Sequence, residues 1–292
     1  MPYSRLVKFC FYSFTVAQII SIFGDRLHQF SVVGMIGKID PGSSVELFQL
    51  GLFSYLPILI FAPVFGTLID RANKALVLVI VDLIRGVLVL LIPALYYVMG
   101  NLYAFYIPVF VLSLANLWFA PAKSAIIPEV FGTSHLLHVN ALLWGLGIVG
   151  TLAGFVLGGW LFDFHSWQLS FYSDGASYLI SVLFLLPLIA VASQRSRTAV
   201  GQRGTTKAPP HTTGLVTSIR LGLELIRGKQ PVAFSLVVQM LLFAVLGVLY
   251  VIGVARIQSV FPPDKTMYLS AVASAATIGL LVGSGVATLA RR

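Results

Sequence analysis

Runs of twenty or more mostly apolar residues recur along this chain, and no other feature constrains its folding as much. A helix that spans a bilayer needs about 20 such residues. Eight stretches qualify: 9–36, 46–69, 75–98, 102–127, 138–162, 168–192, 231–256 and 267–290. In hydrocarbon, peptide N–H and C=O groups must be satisfied inside the protein, so runs of this length fold as helices. The expected fold is an all-α membrane protein. Only 10% of the residues are charged, against about 25% in soluble domains, which agrees.

The net charge of +9 does not indicate nucleic-acid binding. The basic residues sit in short loops between apolar runs rather than on one polar face. A single cysteine, Cys10, excludes an intrachain disulfide. Arg5 and Lys8 imitate the start of a secretion signal. The apolar run after them is too long, holds Asp25 and Arg26, and lacks a small-x-small cleavage site, so it reads as a retained span.

Lys and Arg placement sets the expected orientation. Arg5, Lys8, Arg71, Lys74, Lys123, the basic residues of 193–230 and Arg291–Arg292 fall on one side; Lys38, Arg256 and Lys265 fall on the other. The positive-inside rule puts the N-terminus in the cytoplasm of a multi-pass protein of the plasma (inner) membrane. Three regions follow: a six-helix part (1–192), a cytoplasmic link (193–230) and two further spans (231–292). The link starts polar, basic and rich in Gly and Pro, as a flexible linker would. Its second half spaces Leu215, Ile219, Leu223 and Ile226 as an amphipathic surface helix does.

The first span carries Thr15, Gln18, Ser21, Asp25 and His28 at intervals that keep them on one helical face. Such a face either packs as a polar seam or lines a watery path, and ionisable groups inside spans favour the path. Asp25 lies about 24 Å along the helix at 1.5 Å per residue, past the midpoint. A carboxyl there can bind and release a proton as its surroundings change, with His28 one turn on as a partner. Arg26 points about 100° away, to pair with another helix or to snorkel outward.

Between spans two and three the chain reads FGTLIDRANK, with Gly66, Leu68, Asp70, Arg71 and Lys74. Elsewhere it carries QIISIFGD, VDLIRG, FAPAKSAIIPEV, HVNALL, DGASYLIS and ELIRGKQPVAF. The first stretch resembles the G-x-L-x-D-R-x-x-x-K signature of the major facilitator superfamily. The set resembles the branch that holds macrolide-efflux proteins and enterobactin-type siderophore exporters. The resemblance implies a major facilitator fold: a complete N-terminal six-helix half plus the first two helices of the C-terminal half. It implies a chain truncated after its eighth span, since the family has twelve. It also implies a gating role for Gly66, Leu68, Asp70, Arg71 and Lys74. Asp82 and Arg85 belong to the same match; three residues apart, they form either a structural ion pair or a gate linked to Asp70. Asp174, with Ser177 one turn on, is a further proton or substrate candidate, or a helix-entry residue.

Span five contains G-x-G-x-x-G at Gly145, Gly147 and Gly150, without the strand that a dinucleotide fold requires. Gly150, Gly154 and Gly158 instead give a smooth face for close helix packing. It is similar to the antiporter motif of the superfamily, with Phe155 where that motif has proline. Span four lacks the embedded arginine of many drug–proton antiporters; Asn116 and Lys123 are its nearby polar residues. Gln18, Ser21, Asn116 and Trp144 are substrate-path candidates, and Tyr12, Phe30 and Trp118 suit an apolar cargo or simple packing. His135-x-x-His138 near Glu129 lacks metalloenzyme spacing, so no metal or cofactor and no enzyme activity is expected. The expected function is proton-driven efflux of amphipathic small molecules by alternating access. A facilitator, an importer or a non-transporting remnant is the alternative. The expected partners are lipid, protons and a small-molecule substrate, not nucleic acid, with a monomer when full length.

Overall fold

A computed structural model describes residues 5–69, 72–131, 136–202, 224, 228–262 and 266–289. Its elements are eight long helices: α1 (Arg5–Ile39), α2 (Ser44–Ile69), α3 (Lys74–Met99), α4 (Tyr103–Phe131), α5 (Leu136–Phe164), α6 (Trp167–Gln202), α7 (Gln230–Val260) and α8 (Met267–Leu289). Helix boundaries have local causes. Asn73 caps α3 by accepting from the Leu76 amide at 3.2 Å. Gly100 ends α3 in a left-handed conformation (φ 65°), with its N–H donating to Tyr96 O, a conformation glycine adopts without steric cost.

Among the described residues six helices, α2 to α7, are long and apolar enough to cross a membrane by length and composition. α8 adds a shorter apolar stretch, Met267–Gly283, among the described residues. α6 also runs on to Gln202, into the stretch expected to be linker; SQRSRTAV contains neither Gly nor Pro to stop it. The expected amphipathic helix around Leu215, Ile219, Leu223 and Ile226 lies outside the described residues.

α1 is the central helix. It packs on α5 and α6; α6 packs on α3, α3 on α4, and α4 on α2. Gly150, Gly154 and Gly158 all face α1. A Cβ at Gly154 would stand 2.7 Å from Phe23 O and 2.6 Å from Arg26 Cβ, so only glycine permits this approach. Proline removes an N–H from α6 at Pro187. Close by, α1 bonds α6 carbonyls directly, with Ser13 Oγ donating to Phe184 O at 2.5 Å and Cys10 Sγ to Pro187 O at 3.6 Å.

Two apolar clusters fill the bundle. One, near the Arg5 end of α1, joins Phe14, Leu78, Phe119, Ile126 and Leu185. The other, near the Ile39 end, joins Ile36, Leu47, Ile92, Phe105, Tyr106 and Phe171. Between them α1, α3, α4 and α6 carry buried polar residues, among them His28, Asp82, Arg85, Ser113 and Ser181.

α7 and α8 meet the other helices mainly at the Ile39 end. Ala255 and Gln258 are the buried residues of α7, and Gln258 Nε2 donates to Val33 O of α1 at 2.9 Å. The α5 residue Asp163 accepts from the amides of Thr266 and Met267 at 2.6 and 2.9 Å, and from the Thr266 hydroxyl at 2.9 Å. One carboxylate thus satisfies donors at the start of α8 and fastens it to α5. Asp163→Ala is expected to cost about 0.5–2 kcal/mol, as loss of a helix cap does. In a Cys10→Ser background, the same change should speed labelling of Ser270→Cys by an impermeant maleimide, because Ser270 is buried where α8 meets α5.

Candidate functional site

The polar layer between the two apolar clusters is built from four helices. α1 contributes Asp25 and His28, α3 Asp82 and Arg85, α4 Asn116, and α6 Asp174, Ser177, Tyr178 and Ser181. On α6 these are positions i, i+3, i+4 and i+7, so they form one stripe facing α1 and α3.

At the Ile39 side of the layer, His28 Nδ1 lies 2.5 Å from Asp174 Oδ2. Asp174 is fully buried and His28 nearly so. Ser177 Oγ donates to the other Asp174 oxygen at 3.2 Å. The helices can come this close because residue 24 is glycine: a Cβ there would stand 2.0 Å from Ser177 Oγ and 2.1 Å from Asp174 Oδ1. One turn nearer the Arg5 end, the Tyr178 hydroxyl donates to Asp25. Asp25 is only half-buried, so it forms the accessible edge of the layer.

The deeper part is an ion pair. Arg85 Nη1 donates to Asp82 Oδ1 at 3.3 Å, and Ser181 Oγ donates to Asp82 Oδ2 at 2.7 Å. Arg85 also donates to Asn116 Oδ1 and stacks its guanidinium 4.3 Å from the centre of the Phe119 ring. Asp82 and Arg85 are buried, whereas Asn116 is exposed. Through Tyr178, whose ring lies 5.8 Å from Arg85 Cζ, the two parts of the layer touch. Lys123, on α4, lies within electrostatic reach of Asp25, Asp82 and Arg85.

The layer gathers Asp25, His28, Asp174, Asp82, Arg85 and Asn116, which the sequence had offered under three separate roles. It does not gather the others. Gln18 and Ser21 are buried on α1, and Gln18 Nε2 and Ser21 Oγ have no hydrogen-bond partner. Trp144 is 77% exposed, Phe30 packs on Phe155, and Trp118 on Phe65. Gly66 and Leu68 fall in α2 and Lys74 opens α3; Asp70 and Arg71 lie outside the described residues. Sequence reasoning missed Tyr178, Ser181 and Asp163 as contact makers. Among the described residues no group of three His, Cys, Asp or Glu is placed to hold a metal ion; His135 lies outside them.

His28 and Asp174 present a basic nitrogen and a carboxyl at hydrogen-bond distance, and Tyr178 and Ser177 offer hydroxyls beside them.

Comparison with known proteins agrees with this architecture. Residues 9–292 match the family model described as Major Facilitator Superfamily. The chain is 26% identical over 213 residues to the uncharacterized MFS-type transporter YfiS of Bacillus subtilis (strain 168). That alignment covers 72% of this chain and 48% of the relative, so the chain spans about half the length of the curated relative it matches. No solved structure matches significantly.

Proposed function

The chain belongs to the Major Facilitator Superfamily, and from that premise we propose that it exports amphipathic small molecules across the inner membrane in exchange for protons. The family is one of transporters rather than enzymes, and the all-helical fold fits it. The observation that carries the finer reading is the polar layer. A His–Asp pair and a neighbouring Asp–Tyr pair lie at mid-depth between two apolar clusters, with Asp25 at the accessible edge. Ionisable groups at that depth are costly and mark ion or substrate pathways.

In this reading 1–192 forms the N-terminal half and 193–230 the cytoplasmic link, while 231–292 belongs to the second half. The N-terminus is cytoplasmic, so the Ile39 end faces outward. Contacts of α7 and α8 with the first six helices gather at that end, and α7 is exposed along most of its length toward the other. In this reading the exposed length of α7 would border a cleft open to the cytoplasm, where an exporter loads. The motif resemblance extends the proposal to drug, macrolide or siderophore-type cargo.

The test is flux in proteoliposomes under an imposed pH gradient, with taurocholate and rhodamine 6G among the cargo. Accumulation should follow the gradient and should fall sharply in Asp25→Asn. Flux that ignores the gradient would make the protein a facilitator, and unaltered coupling in Asp25→Asn would remove that residue from the proton path.

A further inference from the structure

Arg26 has no place in the polar layer. It lies next to Asp25 in sequence, but Asp25 is engaged by Tyr178, and Arg26 turns to the α5 side. There Gly154 makes room for its Cβ, and its Cζ stands 5.7 Å from the centre of the Phe155 ring. Its Nη1 donates to Gln29 Oε1 at 2.6 Å, at an exposed position. Its Nε is buried without a partner. Among the described residues no carboxylate lies within ion-pair distance of it.

Two exposed tyrosines lie on other helices. Tyr250 of α7 lies within electrostatic reach of both Tyr55 of α2 and Arg26. Counted from the helix ends at the Ile39 side, at 1.5 Å per residue, Arg26, Tyr55 and Tyr250 lie about 20, 17 and 15 Å deep, so they share one level. Both tyrosines are partly exposed, with hydroxyls to donate and ring faces to pack on.

An arginine at membrane depth is costly to leave unpaired. A guanidinium is a planar fork of donors that matches a carboxylate or sulfonate. We infer that Arg26, with Gln29 beside it and Phe155 beneath it, is the anion-recognising point of the cargo path, so that the cargo is an amphipathic anion. This rests on the export reading above and narrows its cargo class.

The probes are taurocholate, a bulky monoanion, and tetraphenylphosphonium, a bulky monocation. Each is equilibrated with the full 292-residue chain in zwitterionic nanodiscs, with empty discs subtracted. The wild type should retain taurocholate saturably and in preference to tetraphenylphosphonium. Arg26→Gln should weaken taurocholate binding about tenfold or more, the loss expected of one charge-assisted hydrogen bond. Arg26→Lys, which keeps the charge but not the fork, should fall between; it decides the matter if Arg26→Gln does not fold. Tetraphenylphosphonium binding should hold or tighten in both. Unchanged taurocholate affinity in the variants, or a wild type that prefers the cation, overturns the inference and leaves the export reading standing. A wild type that retains neither probe removes the amphiphile-transport reading and this inference together.

Discussion

Asp174→Asn is expected to abolish proton-driven accumulation of cargo in vesicles while leaving gradient-independent exchange of labelled for unlabelled cargo in place. Asp174 is fully buried, and its two oxygens are held by His28 and Ser177. An amide keeps the shape of the carboxyl and can still bond both neighbours, so the α1–α6 contact should survive. What an amide cannot do is take up a proton and give it back. In the His–Asp pair the proton can reside on either partner, and a second can be added; with asparagine that capacity falls to the imidazole alone. Coupling requires that protonation differ between the two orientations of the transporter, because a ligand with no differential interaction cannot shift an equilibrium. His28→Gln should act in the same direction. Exchange needs only cargo binding and reorientation, so its survival separates a coupling defect from misfolding. Full proton-driven accumulation in both variants would leave Asp25 as the coupling group and the buried pair as a structural bond.

Much of this architecture was legible in the sequence because lipid imposes length. Each expected span lies close to a helix, from 46–69 against Ser44–Ile69 to 267–290 against Met267–Leu289. The period of Ser21, Asp25 and His28 marked the face of α1 that meets the polar layer. Partner identity was not legible. Nothing near Tyr178 in DGASYLIS says that its hydroxyl meets a carboxylate 153 residues away in α1. Asp163 is an ordinary span-end acid until α8, more than 100 residues on, is placed against it. Asn116 illustrates the same limit. Its position suggested a substrate path, whereas its side chain accepts from Arg85. Helix periodicity gives the face of a residue, but the neighbour on that face is set by how the helices are arranged.

Arg85→Met is expected to destabilise the folded chain by about 3–5 kcal/mol, the cost of leaving a buried charge without its partner. Asp82 is fully buried and has two bonds, from Arg85 and from Ser181. With methionine at 85 the carboxyl retains only the serine hydroxyl, Asn116 loses its donor, and Phe119 loses the cation above its ring. The paired replacement Asp82→Leu with Arg85→Met should recover most of that loss, because a buried ion pair can be exchanged for apolar side chains at little net cost when both charges go together. Thermal unfolding of the single and double variants in one detergent gives the coupling between the two sites. The double variant also separates the two roles the sequence left open. Activity that returns along with stability would make Asp82 and Arg85 a brace between α3, α4 and α6. Restored stability without restored transport would show that the charges take part in the rocking movement itself, since packing alone would then be intact and the transport cycle still broken.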